Sequence, residues 1–193
     1  MRIRWAVATL GVIALAALTV TTQMPWLTEK QAAMTEAAIV GASNNPEATL
    51  SCPTDAKPAK LDFTLKDVQG KDVDFQSFKG KVVLLDFWAT WCTACEAEMP
   101  EFQRGAERYR SQGMTVLAVN YRQTDAAEIR RFLSRLGTRF PTVFDPDGRI
   151  ASAYGVSLGL PVSVFIDRSG KVSFIQLGQI SSRVLDDKLR SIL

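Results

Sequence analysis

The sequence predicts an α/β layered domain that runs from Leu61 to Leu193. From Leu61 onward, short runs rich in β-branched and aromatic residues alternate with segments whose apolar residues recur every three or four positions. That alternation is typical of strands and helices packed in one domain. The longest apolar run, Val82 to Trp88, leads into a Cys-x-x-Cys motif at Cys92 and Cys95 and then into a helical pattern. These two observations set the fold class and predict that the cysteines lie at a strand-to-helix junction.

The predicted strands are short runs bounded by turn residues. Gln69-Gly70 separates the first two runs, which therefore form an N-terminal strand pair, and residues 167–170 indicate a hairpin near the end of the chain. Asp86 is the one charged residue within Val82 to Trp88, which is otherwise apolar and predicts a buried strand. Strands are predicted at 63–65, 73–75, 82–88, 115–120, 162–166 and 171–176.

The predicted helices have apolar residues at three- or four-residue spacing and recognisable caps and stop signals. The first runs from Glu96 to Gln112 and contains Pro100, which must remove one backbone hydrogen bond and kink the helix. Three more are predicted: one capped by Thr124 or Asp125 and ended by Gly137, one after the turn at 145–148 with Ile150, Ala153 and Tyr154, and one capped by Ser181 or Ser182.

The composition narrows the chemistry that this chain can perform. With 47% hydrophobic and 22% charged residues over 193 positions, the chain fits one globular domain with extensions. A net charge of +3 is too small to indicate a nucleic-acid partner. The chain has no histidine, which excludes Cys-His and Ser-His-Asp mechanisms and most copper and zinc sites. We therefore predict no cofactor and no metal, and thiol exchange is among the few chemistries left.

The first 28 residues predict a membrane segment. Arg2 and Arg4 precede a charge-free stretch from Trp5 to Thr28, and because basic flanks stay in the cytoplasm, the rest of the chain is expected on the periplasmic side. An uncleaved anchor in the cytoplasmic membrane and a removed signal peptide both fit, and the absence of a clean small-residue cleavage site favours the anchor. Residues 29–60 are predicted to be a linker in which Cys52 is an exposed thiol without a catalytic role.

The Cys-x-x-Cys motif indicates a redox-active pair. Cys92 is expected at the start of a helix, where unpaired N–H groups and the positive end of the helix dipole favour a thiolate. Cys95 lies one helical turn further on and can close a small disulfide with it. A structural zinc site usually needs four ligands, and Cys52 is the only other cysteine or histidine in the chain. A disulfide with a purely structural role is a further alternative. The loop between Cys92 and Cys95 is so short, however, that closing it constrains the unfolded chain only weakly.

Two segments carry a family resemblance: residues 87–100, FWATWCTACEAEMP, and residues 159–167, GLPVSVFID. They resemble the thioredoxin-like superfamily and, within it, the membrane-tethered, extracytoplasmic disulfide reductases of the TlpA/ResA/CcmG type. The resemblance covers residues 61–193. It implies a thioredoxin-like fold in which helices flank a central mixed sheet, with the N-terminal strand pair and an inserted helix and strand between Thr124 and Tyr154.

The resemblance also implies roles for residues around the cysteines. Asp86 matches a buried carboxyl that shuttles a proton to Cys95, since burial raises the pKa of a carboxyl towards neutrality; the alternative is a strand-end aspartate that reaches solvent. Glu98 matches an acidic residue that tunes the thiolate, and a solvated surface glutamate is its alternative. Pro161 matches a cis-proline loop that faces the cysteines and pairs with a substrate strand. Trp91 is a supporting residue beside the nucleophile.

Three positions depart from the family pattern. Ala118 stands where cytoplasmic thioredoxins often have a lysine that pairs with the buried carboxyl. Leu160 and Val162 flank the proline where this branch more often has small or hydroxylic residues, and we expect the choice of substrate to differ accordingly.

The predicted function is that of a membrane-tethered thiol-disulfide oxidoreductase that reduces disulfides in extracytoplasmic client proteins. Cys92 attacks and Cys95 resolves the mixed disulfide; a membrane thiol donor supplies electrons. Three kinds of client fit this function: apocytochrome c, as in cytochrome c biogenesis; a copper-site assembly protein; or a broad range of proteins. The alternatives are a disulfide oxidase or isomerase and, from a different class, a Cu(I)-binding chaperone that uses the same two thiols. A peroxidase is disfavoured because Ala89 stands where a threonine is expected.

Overall fold

A six-stranded mixed sheet forms the centre of this protein, in a computed structural model that describes residues 57–156 and 159–193 and the backbone of Ser51–Pro53. The strands are β1 (Ser51–Pro53), β2 (Thr64–Lys66), β3 (Asp72–Asp74), β4 (Val82–Trp88), β5 (Met114–Tyr121), β6 (Thr142–Asp145), β7 (Val162–Ile166) and β8 (Val172–Leu177). The helices are α1 (Thr93–Arg108), α2 (Ala126–Leu136), α3 (Arg149–Ala153) and α4 (Ser182–Ile192), with 3-10 turns at Phe75–Phe78 and Arg110–Gln112.

The strand order in the large sheet is β1-β8-β7-β4-β5-β6. β4, β5 and β6 run parallel to one another, whereas β7 is antiparallel to both β4 and β8, and β1 is antiparallel to β8. β2 and β3 form a separate antiparallel pair. The predicted mixed sheet with flanking helices and the predicted N-terminal strand pair are both confirmed.

Alternate residues of β4 face opposite sides of the sheet, because successive side chains of a strand point to opposite faces. Val83, Leu85 and Phe87 pack in an apolar cluster with the 3-10 turn at Phe75–Phe78 and with α3. The other face of the sheet carries α1, α2 and α4. Its apolar residues from the central strands are Val82, Leu84, Trp88, Val116, Ala118 and Phe165.

Helix α1 differs from the predicted helix at both ends. It begins at Thr93 rather than Glu96 because Cys92 caps it, and Pro100 lies inside it as predicted. Its α-helical part ends at Arg108, after which a 3-10 turn leads to Gly113, whose φ of 71° reverses the chain into β5. The apolar spacing alone could not show this change, since a 3-10 turn continues much the same pattern of apolar residues.

The segment between Thr124 and Tyr154 forms α2, β6 and α3, and β6 extends the sheet beside β5. Asp125 is the cap of α2, where its carboxylate accepts hydrogen bonds from the N–H groups of Ala127 and Glu128 at 2.9 Å each. Gly137 ends the helix in a left-handed conformation, as its position in the sequence predicts.

The end of the predicted linker is part of the sheet. Ser51–Pro53 pair with β8, so that the backbone of Cys52 lies opposite Ile175. Three residues carry too little pattern to predict a strand, and the pairing depends on β8, far along the chain. The predicted membrane segment, residues 1–28, and the linker up to residue 50 lie outside the described residues. Within the described part of the chain, none of the helices combines the length and the apolar character needed to cross a membrane.

Candidate active site

Cys92 lies in the loop between β4 and α1, directly before the first residue of α1. Its backbone is extended, with φ −91° and ψ 99°, and it occupies the N-cap position of the helix. Its Sγ accepts a hydrogen bond from the N–H of Cys95 at 3.2 Å, so a free N–H group at the helix start points at this sulfur. Cys92 and Cys95 are joined as a disulfide, with their Cα atoms 5.3 Å apart. Cys92 is 6% exposed and Cys95 is not exposed, so an incoming reagent meets Cys92 first.

Two large apolar side chains, Trp91 and Leu160, lie near the disulfide. The Trp91 side chain is 64% exposed beside Cys92. The peptide bond between Leu160 and Pro161 is cis, as the resemblance predicts. Leu160 packs against the buried cluster that contains both cysteines. An extended client segment that reaches Cys92 therefore meets an exposed indole and an apolar loop.

Asp86 is buried on the face of the sheet that carries α1. It lies two residues before Trp88 of the same face, and no part of it is exposed, so the strand-end alternative is wrong. Neither of its carboxyl oxygens bonds to another described residue. Ala118 is directly opposite it on β5, which places an apolar side chain and no cation at that position. Burial alone raises the pKa of Asp86 to about 8.

Glu98 is buried on the sheet side of α1, so the solvated-surface alternative is also wrong. Its Oε2 accepts a hydrogen bond from the Ile180 N–H at 2.9 Å, which joins α1 to the segment before α4. Burial raises the pKa of Glu98 to about 9, the negative charge of Asp86 raises it too, and the bond from Ile180 opposes both. The two carboxyls therefore lie close enough for the charge on one to affect the other.

Two polar residues that the sequence analysis did not single out lie in line with Asp86. Ser163 on β7 is directly opposite Asp86, and Gln176 on β8 is directly opposite Ser163. All three are fully buried. We call Asp86, Ser163 and Gln176 the polar row. The signal was present in the sequence, since Ser163 and Gln176 are single polar residues in otherwise apolar strands, but the register that aligns them was not.

Gln123 is a third residue that sequence reasoning missed. Its Oε1 accepts hydrogen bonds from the Thr90 N–H at 2.8 Å and from Asn120 Nδ2 at 3.0 Å, and its Nε2 donates to Thr90 Oγ1 at 2.7 Å. The Thr90 hydroxyl donates in turn to Glu128 Oε1 at 2.8 Å. These bonds hold the loop that carries Trp91. No pattern near Gln123 in the sequence indicates this role.

The site offers few ligands for a metal. In the described ranges, 57–156 and 159–193, no three side chains of His, Cys, Asp or Glu cluster in a way that could hold a metal ion.

Comparison with known proteins decides the family. A model of the AhpC/TSA family matches residues 53–175. The chain belongs to the AhpC/TSA family. Within that family it is 36% identical over 130 residues to the thiol-disulfide oxidoreductase ResA of Bacillus thuringiensis subsp. konkukian, a match that spans 67% of this chain and 74% of that protein. It is 35% identical to ResA of Bacillus subtilis over 67% of this chain and 72% of that protein.

Solved structures agree with this family. A thioredoxin-family thiol:disulfide interchange protein from Chlorobium tepidum superposes with a TM-score of 0.65 at 26% identity, over 73% of this chain and 99% of that one. A secreted Mycobacterium tuberculosis disulfide oxidoreductase, described as homologous to DsbE of E. coli, gives 0.62 at 27% identity, over 68% and 96%. This AhpC/TSA family member therefore has the thioredoxin-like fold and is a thiol-disulfide oxidoreductase, with Cys92 and Cys95 in the Cys-x-x-Cys spacing.

Proposed function

We propose that this oxidoreductase acts outside the cytoplasm, is tethered to the cytoplasmic membrane by its N-terminal segment, and reduces disulfides in client proteins. The basic flank at Arg2 and Arg4 and the apolar stretch after it support the tether. The ResA relatives support the chemistry, and the similar M. tuberculosis protein is described as secreted. Disulfides form and persist in such compartments, so a client is available there.

One observation supports the reducing direction: two buried carboxyls lie on the face of the sheet that carries the disulfide, and Ala118 rather than a cation stands opposite Asp86. The start of α1 stabilises a thiolate at Cys92, and a stabilised thiolate makes a pair more oxidising. A buried carboxyl offers no positive charge to a thiolate, and once ionised it repels one. The carboxyls therefore oppose the helix end and shift the equilibrium away from the dithiol, which makes the reduced pair a better electron donor.

The first step of the proposed reaction uses Cys92. Its thiolate attacks one sulfur of a client disulfide, a bond forms between Cys92 and that client sulfur, and the client S–S bond breaks. The second client sulfur leaves as a thiolate and takes a proton from solvent. The exposure of Cys92 and its N-cap position suit it to this attack.

The second step uses Cys95 and Asp86. The Asp86 carboxylate takes the proton from the Cys95 thiol, and the Cys95 thiolate attacks Cys92 Sγ. The Cys92–Cys95 bond forms, the bond from Cys92 to the client breaks, and the client leaves as a dithiol after protonation. Two electrons have passed from the cysteine pair to the client, and a membrane dithiol donor restores them.

The proton transfer is supported by position and by pKa. Cys95 packs in the same buried cluster as Ala118, and Ala118 lies opposite Asp86. The pKa of about 8 for Asp86 lies near neutrality, so this carboxyl can take up and release a proton close to physiological pH.

Measuring the redox potential of the full chain tests the direction. We expect equilibration with a dithiothreitol series to give a value nearer to the ~−270 mV of thioredoxin than to the ~−120 mV of a strong periplasmic oxidant. A value above about −180 mV, the reference for protein disulfide isomerase, would contradict the reductase assignment and support the oxidase or isomerase alternative.

Measuring resolution of a trapped mixed disulfide tests Asp86. We expect Asp86→Asn to slow the release of a client peptide from Cys92 most strongly above about pH 8, where the wild-type carboxyl is ionised. Asp72→Asn, an exposed carboxyl on β3, is the matched control and should leave the rate unchanged. Equal rates for wild type and Asp86→Asn from pH 6 to pH 9, around the ordinary thiol value of ~8.5, would make Asp86 a structural residue only.

A further inference from the structure

The polar row contains the Ser163 hydroxyl, which has no role in the reaction described above. Ser163 is fully buried, and its Oγ bonds to none of the residues that the structure describes; the same holds for Gln176 Oε1. Buried polar atoms are nearly always hydrogen-bonded, to protein or to ordered water. Residues directly opposite each other in antiparallel strands have Cβ atoms about 4.5–5.5 Å apart. The Ser163 hydroxyl is therefore within reach of Asp86 on one side and Gln176 on the other, directly or through one water molecule.

The remaining surroundings of Asp86 contain few groups that could set its charge. Helix α1 contributes the titratable groups Glu98 and Cys95, and the charges of Glu98 and Asp86 interact. Strand β5 contributes Ala118, and α4 packs on this face through the apolar Leu185 and Leu189. On the β7 side, the nearest group able to donate a hydrogen bond from a side chain is therefore the Ser163 hydroxyl.

We propose that Ser163 is a positioning residue that donates its hydrogen bond to the Asp86 carboxylate when Asp86 is ionised and to Gln176 Oε1 when Asp86 carries its proton. A serine hydroxyl has one donor and two lone pairs and can rotate to suit either neighbour. With Asp86 protonated, the acid donates to Ser163 Oγ and Ser163 donates to Gln176. With Asp86 ionised, the hydroxyl turns to the carboxylate. This inference deepens the proposed function and rests on Asp86 being the proton acceptor for Cys95.

The two partners of Ser163 act on Asp86 in opposite directions. The hydrogen bond from Ser163 to the carboxylate is charge-assisted and is stronger than the neutral bond that protonated Asp86 makes to Ser163 Oγ. Loss of the hydroxyl therefore destabilises the ionised form more and raises the pKa of Asp86. The amide oxygen of Gln176 accepts only in the protonated state of the row, so its loss disfavours that state and lowers the same pKa. A role of Ser163 and Gln176 in packing alone predicts no such pair of opposite shifts.

Titration of the Asp86 carboxyl by carbon-13 NMR, in the full chain with the disulfide intact, tests the proposal. We expect Ser163→Ala to raise the midpoint by at least about half a pH unit, Ser163→Thr, which keeps the hydroxyl, to leave it within about 0.2 unit, and Gln176→Met to lower it. Asp86→Asn assigns the signal. An unchanged or lower midpoint in Ser163→Ala would overturn the role of Ser163. A higher or unchanged midpoint in Gln176→Met would overturn the two-partner arrangement.

The titration and the resolution kinetics separate this inference from the proposed function. The titration uses no client and no thiol chemistry, so it reports on Ser163 whether or not Asp86 takes the proton of Cys95. If Asp86→Asn leaves resolution unchanged, the catalytic role of Asp86 fails. If Asp86→Asn slows resolution but Ser163→Ala leaves both the titration midpoint and the pH profile of resolution unchanged, Ser163 has no positioning role.

Discussion

The two faces of the central sheet differ in chemistry although the same strands build both. The face covered by the 3-10 turn at Phe75–Phe78 and by α3 has an apolar core, to which β4 contributes Val83, Leu85 and Phe87. Its buried carboxyl, Asp145, is satisfied, because it accepts hydrogen bonds from the N–H groups of Ile150 and Ala151. The face covered by α1, α2 and α4 carries the polar row in its middle, Asn120 opposite Trp88 at one end, and Glu98 on the sheet side of α1. The cysteines lie on this second face.

Within β4, the residues on one face therefore contribute mainly to stability, and Asp86 on the other face contributes to the proposed chemistry of the site. Burying apolar area stabilises the fold, whereas burying a carboxyl that has no cation beside it costs free energy. Asp86 and Phe87 are adjacent in the sequence and equally buried, yet we expect their removal to change stability in opposite directions. Groups with strongly shifted pKa values concentrate at functional sites, and two of them, Asp86 and Glu98, lie on the face of the sheet that carries the cysteines.

Truncating the apolar face should have the largest effect. Phe87→Ala leaves a cavity in a fully buried cluster and is expected to lower the free energy of unfolding by about 3–5 kcal/mol, measured by urea denaturation. Because Phe87 faces away from α1, the redox potential of the folded variant should match that of the wild type. A decrease of less than about 1 kcal/mol in the free energy of unfolding would show that the apolar face does not make the larger contribution to stability.

Replacing Asp86, the ionisable residue of β4 on the other face, should stabilise the protein by an amount that depends on pH. Between about pH 4 and pH 8 native Asp86 keeps its proton while the unfolded chain, with an ordinary carboxyl pKa of ~3.9, releases it. The unfolded state then binds fewer protons, so wild-type stability falls as pH rises through this window. Asp86→Asn removes that loss and should be more stable by on the order of 4 kcal/mol at pH 7, and by almost nothing below pH 4.

Thermal or urea unfolding of Asp86→Asn at several pH values checks this expectation, with the exposed Asp72→Asn as control. A stability difference between Asp86→Asn and the wild type that does not change between pH 4 and pH 8 would be incompatible with a buried, protonated carboxyl. A decrease in stability at pH 7 would contradict it directly.

Glu98 allows the bond and the charge to be tested separately. Glu98→Gln keeps an oxygen that accepts from the Ile180 N–H, and because the pKa of Glu98 is about 9, the native side chain is already protonated at pH 7. We therefore expect a change below about 1 kcal/mol at pH 7 for Glu98→Gln, but a loss of about 1–3 kcal/mol for Glu98→Ala, which leaves a buried N–H unsatisfied. Equal losses in the two variants would mean that the carboxyl, not the bond, stabilises this junction.

The smallest expected effect concerns the two sulfurs. In the reduced protein near neutral pH, iodoacetamide should modify Cys92 about tenfold faster than Cys95, because Cys92 is the more exposed and caps α1. Peptide mapping by mass spectrometry at short times measures the ratio. Faster modification of Cys95 or Cys52 would overturn the assignment of the nucleophile.

Much of the local structure was predictable from the sequence. The bounds of β4 and β7 match the predicted strands, and Asp125, Gly137 and Ser181 act at helix ends as predicted. These features depend on neighbours within a few residues, where apolar period, caps and turn residues act. β1 could not be predicted in this way, because it is a strand only through its pairing with β8.

The same distinction between local and long-range determinants applies to the candidate active site. The sequence by itself determined the redox pair, its place at the start of a helix and the candidate carboxyls, because strand, motif and helix are contiguous. Only the tertiary structure decided that Glu98 is buried and that its charge and that of Asp86 interact. Only the tertiary structure, likewise, aligned the polar row, because it depends on the register of β4 against β7 and of β7 against β8. A shift of one residue in either pairing would turn the opposing side chain to the other face, and packing across the whole sheet sets that register.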